Sequence, residues 1–151
     1  MSKKTNIVVG FAIALMATIA VFVLFASCFS ADVEGSEYGS GFSVMFGSTS
    51  RGFEAVPLLI VAFSLECGAF LAAIIGAFLF GKVQAIVYVL TSLILIAAGA
   101  LFLFSVPLFV SINPLNNPEG ISLGAAPITS AVFAFIGGAL GLFGTYNAVK
   151  N

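Results

Sequence analysis

The chain has 151 residues, of which 61% are hydrophobic and only 7% are charged, and its net charge is −1. A typical soluble domain is roughly 45–50% apolar and about 25% charged, so five basic and six acidic side chains are too few to cover a water-soluble surface. The composition therefore indicates an integral membrane protein whose main partner is the lipid bilayer, and the near-neutral charge gives no reason to expect nucleic-acid binding.

Four stretches are apolar over the roughly 20 residues that a helix needs to cross a bilayer. Pro57 and Pro127 open the second and fourth stretches, at the helix position where the missing N–H costs nothing. Pro107, near the end of the third, can kink or end that helix. We therefore expect an all-α membrane protein, a single domain over residues 1–151 built as a bundle of four transmembrane helices. The predicted spans are residues 7–29, 57–80, 83–110 and 127–149.

Two longer connections, residues 30–56 and 111–126, lie on the same side of the predicted bundle. In residues 42–46 Phe and Val alternate with Ser and Met, a pattern typical of a short strand. Residues 121–123 are a candidate partner strand, so the small extracellular loop region is predicted to contain a short β-hairpin. This outline resembles claudin-type tetraspan proteins. The chain has no Trp, however, and lacks the paired Cys of that family's first loop, so no family is assigned.

The basic residues predict the orientation. Lys3, Lys4, Lys82 and Lys150 fall on one side of a four-span bundle, and Arg51 alone falls on the other. The positive-inside rule then places both termini in the cytoplasm and the protein in the cell membrane. The compact size and the absence of glycosylation signals favour a bacterial origin.

Two cysteines are too few for a disulfide scaffold or a zinc site. Cys67 is predicted to lie ~15 Å deeper in the membrane than Cys28, at 1.5 Å per residue, which is too far for a disulfide. A second interpretation concerns Cys28 alone, because a basic start, an apolar stretch and the sequence Leu24-Phe-Ala-Ser-Cys28 resemble a lipoprotein signal. Processing there would leave three spans. The uncleaved helix is favoured because the apolar stretch is long enough to span.

Small residues recur at helical spacing in the second and fourth spans. Such stripes let helix backbones approach closely, which drives helix association in lipid. They indicate either packing within one bundle or a seam between copies in a homo-oligomer. The candidate packing residues are Gly68, Ala72 and Gly76 in the second span and Ala134, Gly137, Gly138, Gly141 and Gly144 in the fourth.

Glu66 is the one acid inside a predicted span, and no Lys, Arg or His lies inside any of them. An acid at a helix centre costs about 2.5–3.5 kcal/mol on insertion scales, so its presence needs an explanation. A lone carboxyl group in a low dielectric favours its neutral, protonated form. Glu66 is then either a neutral hydrogen bond between helices, with Thr18 at the same depth as a candidate partner, or an ion or proton site lined by Thr18 and the glycine stripe of the fourth span.

The sequence carries no signature of catalysis. There is no His to act as a general base, and no phosphate-binding loop, metal-ligand cluster or dinucleotide fingerprint is present. We therefore expect no enzyme, no cofactor and no metal. The favoured hypothesis is a non-catalytic assembly, accessory or scaffold-type membrane protein that acts on another copy or another membrane protein through helix packing and outer-loop contacts. The alternatives are a small ion or proton channel or transporter that uses Glu66, and a lipoprotein-like surface protein processed at Cys28.

Overall fold

The structure is a computed structural model that describes residues 3–25, 27–30, 37–47, 49, 54–113 and 122–150. Within these residues four long helices form a bundle, and shorter elements gather at one of its ends. In chain order the elements are α1 (Lys3–Phe22), a 3-10 turn (Val23–Phe25), β1 (Ser27–Ser30), β2 (Glu37–Ser40), α2 (Gly41–Phe46), α3 (Pro57–Ala77), α4 (Gly81–Leu103), α5 (Ser105–Ile112), β3 (Ser122–Leu123) and α6 (Ala125–Lys150).

The four long helices α1, α3, α4 and α6 are each long and apolar enough to cross a membrane. This confirms the predicted bundle of four apolar helices, and the chain is a multi-pass membrane protein in contact with lipid. The adjacent pairs are α1–α3, α3–α4, α4–α6 and α6–α1. Helices α3 and α6 therefore face each other across the bundle, and so do α1 and α4.

The bundle has two different ends. At the terminal end α1 begins, α3 turns into α4 and α6 finishes; there the Lys3 ammonium lies over the Phe80 ring, 5.1 Å from its centroid. The turn from α3 to α4 is tight because Gly81 takes a left-handed conformation, with φ of 61°, which glycine adopts without steric cost. The opposite end, called the loop end, carries the three strands, α2 and α5.

Besides shifts of one to four residues at other helix ends, the structure departs from the predicted spans in two places. The first helix begins at Lys3 and ends at Phe22, so residues 27–29, predicted as helix, belong instead to β1. The third span is interrupted, because α4 ends at Leu103 and α5 begins at Ser105. Pro107 explains this break: it has no N–H to donate to the carbonyl of Leu103, four residues earlier, and its ring would clash with that carbonyl.

The loop end contains a small antiparallel sheet with β1 in its centre. Ser27 of β1 pairs with Ser40 of β2, and Phe29 of β1 pairs with Leu123 of β3. The predicted hairpin between residues 42–46 and 121–123 is therefore wrong, although Ser122–Leu123 is a strand. Residue 121 and the predicted orientation marker Arg51 lie outside the described part of the chain.

Residues 41–46 form α2 rather than a strand. Gly41, Val44 and Met45 are its buried residues, and their i, i+3, i+4 spacing is that of one helix face. Gly41 allows α2 to lie directly on the 3-10 turn, because a Cβ there would be 2.8 Å from the carbonyl oxygen of Leu24. The alternation of Phe and Val with Ser and Met covers only five residues, which is too few to distinguish a short helix from a strand.

Aromatic rings and backbone contacts hold α2 against the bundle. The Phe42 ring lies 5.6 Å from that of Phe63 on α3 and 4.7 Å from that of Phe25, measured between centroids. The Val56 amide donates to the Met45 carbonyl at 2.9 Å. These contacts join the short helix to the 3-10 turn and to the start of α3.

A reciprocal pair of hydrogen bonds closes the loop end. The Asn113 side chain accepts from the Glu54 amide at 2.7 Å and donates to the Glu54 carbonyl at 3.2 Å. One side chain thus serves both backbone groups of a residue just before α3. This contact fixes the end of α5 to the segment that enters α3.

Candidate functional site

Glu66 lies in the closed core of the bundle. Its side chain is 0% exposed, and its Oε1 accepts a hydrogen bond from the Ser130 hydroxyl of α6 at 2.9 Å. Because α3 and α6 face each other diagonally, this bond crosses the bundle rather than joining two adjacent helices. The second carboxyl oxygen, Oε2, is also buried and has no hydrogen-bond partner within the described residues.

Thr18, the predicted partner of Glu66, is placed differently. Its hydroxyl donates to the Ala14 carbonyl of its own helix at 2.8 Å. Its side chain lines a cleft between α1 and α3, together with Cys67. The hydrogen-bond partner of Glu66 is therefore Ser130, which the predicted span had placed nearer the membrane edge.

A sequence signal for Ser130 did exist. Ser130, Ala134, Gly138 and Gly141 follow i, i+4, i+8, i+11 spacing and therefore share one helix face. All four are buried in the structure. Because these residues share one face, Ser130 points into the bundle if the small residues of the stripe do.

A second polar network lies at the terminal end and was not predicted. The Asn6 Nδ2 donates to the Gln84 Oε1 at 2.9 Å, and the Gln84 Nε2 donates to the Gly76 carbonyl at 2.9 Å. The Tyr88 hydroxyl donates to the Asn6 carbonyl at 2.6 Å. This network joins α1 to α4 across the other diagonal and also reaches α3. Asn6 lies just before the predicted first span, and Gln84 is the second residue of the predicted third span.

Tyr88 is fully buried and is surrounded by a glycine from each of the three other long helices. A Cβ at Gly10 of α1 would be 2.7 Å from the Tyr88 hydroxyl oxygen. A Cβ at Gly76 of α3 would be 2.8 Å from the ring, and one at Gly144 of α6 would be 2.7 Å from it. The three glycines create the space that the ring fills at the bundle axis.

The predicted stripe of α6 lies inside the bundle. Ala134, Gly137, Gly138, Gly141 and Gly144 are all buried. An added Cβ at Gly137 would be 2.9 Å from Leu95, one at Gly138 would be 2.9 Å from Ile96, and one at Gly141 would collide with the Ser92 hydroxyl, all on α4. The small residues of α6 thus allow close approach to α4.

The predicted stripe of α3 behaves differently. Gly76 is buried against Tyr88, but Ala72 is half-buried and Gly68 is exposed. A Cβ added at Gly68 would meet nothing within 4 Å. Gly68 therefore does not take part in packing within this bundle, and its interpretation as part of a seam between copies stays a prediction.

Buried apolar side chains separate the two polar networks. Along α3 the distance from Glu66 to Gly76 is ~15 Å at 1.5 Å per residue. In this stretch the Ser92 hydroxyl donates to the Tyr88 carbonyl at 2.9 Å, on its own helix. The apolar layer includes Val9, Ile13, Ala17, Ala69, Ala73, Leu95 and Ala134.

The two cysteines lie in different settings. Cys67 is a free thiol, half-buried at the surface of α3. Cys28 belongs to β1, and its side chain lies outside the described part of the structure. The prediction that the two cysteines do not form a disulfide stays a prediction.

Compared with known protein families and with curated proteins, the chain matches no family model and no curated protein. Its role therefore has to be inferred from its packing, its buried polar groups and its lipid-facing surface. The two cross-bundle networks and the apolar layer between them are the features that bear on that role.

Proposed function

We propose that the protein is a non-catalytic membrane scaffold or accessory subunit that acts through contacts with other membrane proteins or with copies of itself. The observation that carries this proposal is the hydrogen bond between Glu66 and Ser130 inside a closed core. This bond gives the buried carboxyl group of Glu66 a structural role. Such bonds between membrane helices contribute about 0.6 kcal/mol on average, and up to about 1.7 kcal/mol.

The arrangement of side chains along the bundle axis supports the scaffold proposal over a pore. A pore through a four-helix bundle would follow the axis, where side chains from opposite helices meet. Glu66 and Ser130 join across the axis at one level, and Tyr88 fills it at another. Between these levels most buried residues are apolar, and the buried Thr91 and Ser92 hydroxyls are each donated to a carbonyl of their own helix. A proton or ion on this route would cross ~15 Å without a chain of polar side chains, at 1.5 Å per residue along α3.

The transporter alternative is favoured by one observation, the buried Glu66 Oε2 without a partner in the described residues. An intramembrane acid is a candidate ion or proton site by default. A protonated carboxyl group with an unused oxygen could exchange its proton if water reached it. This alternative makes a flux prediction opposite to that of the scaffold proposal.

We expect purified protein in liposomes to give proton and cation flux no greater than protein-free liposomes. Glu66→Gln should leave this unchanged and alter the free energy of unfolding by less than about 1 kcal/mol, because glutamine keeps the shape and can still bond Ser130. A pH-sensitive dye inside the liposomes and unfolding in mixed micelles measure the two quantities. Proton flux above background that disappears in Glu66→Gln would instead identify a transporter.

We also propose that both termini face the cytoplasm of a cell, in the cell membrane, with Cys28 unprocessed. Exposed Lys3, Lys4, Lys82 and Lys150 lie at the terminal end, which supports this orientation. Processing at Cys28 would also remove α1, which packs against both α3 and α6.

An epitope tag at the N-terminus tests orientation and processing together. We expect the tag to remain on the mature protein by intact mass, and to resist protease added outside intact cells while being cleaved after lysis. A mature protein without the tag would support processing at Cys28. A retained tag that is cleaved from outside would reverse the orientation.

A further inference from the structure

The length of α3 locates both edges of the hydrocarbon core along the bundle. Helix α3 has 21 residues and is ~31 Å long at 1.5 Å per residue, which matches the ~30 Å thickness of a bilayer's hydrocarbon core. It contains no Lys or Arg, and exposed Lys82 lies just after its end. Because a lysine ammonium stays at the membrane surface, one edge of the core lies near the end of α3 and the other near its start at Pro57.

Helix α2 reaches below the edge near Pro57. The rings of Phe42 and Phe46 lie 5.6 Å and 5.7 Å from the ring of Phe63, measured between centroids. Phe63 is six residues into α3 from Pro57, ~9 Å along the helix at 1.5 Å per residue. Helical side chains tilt toward the start of their helix, which leaves the Phe63 ring a few Å shallower but still inside the core. The two rings of α2 lie at the same depth.

Helix α1 gives the depth independently. Phe22 is 18 residues after exposed Lys4, ~27 Å along the helix at 1.5 Å per residue, so it lies inside the core. Its ring stacks on that of Phe25 at 6.4 Å, and the Phe25 ring lies 4.7 Å from that of Phe42. Through Phe42, the aromatic rings therefore run without a break from Phe22 on α1 to Phe63 on α3.

The outward side of α2 suits lipid rather than water. Its inner face is buried against the bundle, while Phe46 is close to half exposed. The neighbouring rings of Phe22 and Phe25 are more than half exposed. Helix α2 contains no charged residue, whereas a helix with one side in water normally carries charged or polar residues on that side.

We propose that α2 is embedded in the membrane leaflet at the loop end, with Phe25 and Phe46 in contact with the acyl chains of its lipids. The exposed rings continue the lipid-facing sides of α1 and α3, which makes lipid the occupant of this surface. Interfacial helices bury their apolar face about 5–10 Å into the boundary between headgroups and acyl chains, and the rings of α2 reach such a depth. Helix α2 thus belongs to the membrane, although it lies in the connection between two spans.

A single tryptophan tests this position, because the chain has none of its own. In nanodiscs of phosphatidylcholine brominated near the headgroup end of its acyl chains, the emission of Phe46→Trp should fall by at least half. Val61→Trp, at an exposed position of α3 and a similar depth, should lose as much. Glu54→Trp, exposed just before α3 begins, should keep its emission in brominated lipid and lose it to iodide in the buffer.

Three outcomes decide the proposal. Quenching of Phe46→Trp by brominated lipid to the extent seen for Val61→Trp supports it. Quenching by iodide but not by brominated lipid would place α2 in water and overturn it. Quenching by neither would mean that another protein chain covers α2, which would overturn it as well.

A cysteine at the same position provides a second test with a side chain that does not itself favour the membrane interface. In protein with Cys28 and Cys67 replaced by serine, Phe46→Cys in nanodiscs should react with a charged maleimide at least tenfold more slowly than Glu54→Cys. The reason is that the reactive thiolate forms poorly in apolar surroundings. Equal rates would overturn the proposal. Neither test measures flux or assembly, so the proposal can fail while the proposed function stands, and the reverse.

Discussion

Tyr88→Ala is expected to lower the free energy of unfolding by about 3–5 kcal/mol, the range measured when large buried aromatic side chains are removed. The effect should be large because the ring fills a space that three glycines from three helices leave open. Those glycines have no side chains that could move into the cavity. The loss of the hydrogen bond from the Tyr88 hydroxyl to the Asn6 carbonyl adds to the cost. Unfolding by a denaturing detergent in mixed micelles measures the change.

Tyr88→Phe is the matched control for this substitution. It keeps the ring and removes only the hydroxyl group, so we expect a loss of about 0.5–1.5 kcal/mol. An equal loss in both variants would mean that the hydrogen bond, rather than ring packing, dominates. A loss below about 1 kcal/mol in Tyr88→Ala would mean that the bundle can close over the cavity, so that the three glycines do not hold it open.

Gly141→Ala is expected to destabilise the protein by about 1–3 kcal/mol, as overpacking in a well-packed core does. The added Cβ would collide with the Ser92 hydroxyl and lie 3.1 Å from the Tyr88 carbonyl oxygen. The hydroxyl could rotate, but it would give up its bond to that carbonyl, and the backbone oxygen can move only with α4. Helices α4 and α6 would therefore separate slightly along their contact.

Gly68→Ala is the control, because the same change is made where the added Cβ meets nothing within 4 Å. Alanine is favoured over glycine in a helix by about 1 kcal/mol, so this variant should be neutral or slightly more stable. Adding Ser92→Ala to Gly141→Ala should recover part of the loss by removing the colliding oxygen. If Gly68→Ala instead weakened self-association in lipid, its exposed surface would be a seam between copies.

Hydropathy was sufficient to predict the four spanning helices, because each must supply a long apolar surface to lipid regardless of what it packs against. The start of α3 at Pro57 was predictable for a local reason, the tolerance of proline in a first turn. The interruption after Leu103 was not, although Pro107 marked the region. A proline predicts that a helix either kinks or ends. Which of the two occurs depends on the contacts of the residues that follow, and those of α5 lie at the loop end.

The partners of the buried polar groups were harder to predict. Thr18 was matched to Glu66 by depth, but depth along a helix does not say which way a side chain points. Ser130 points at Glu66 because α6 lies diagonally opposite α3, an arrangement that follows from how all four helices pack. Tyr88 was missed for a related reason, since its surroundings are defined by glycines on three other helices. Those contacts are properties of the assembled bundle rather than of one segment.

The hydrogen bonds between residues far apart in the sequence also constrain how the protein is made. Asn6 and Gln84 are 78 positions apart, Glu66 and Ser130 are 64 apart, and Glu54 and Asn113 are 59 apart. A ribosome that has just delivered α3 to the membrane has not yet synthesised the serine that Glu66 will bond. During that interval the apolar residues of α3 alone must offset the insertion cost of the acid, about 2.5–3.5 kcal/mol. The nascent chain thus enters the bilayer carrying polar groups that find their partners only after the later helices arrive.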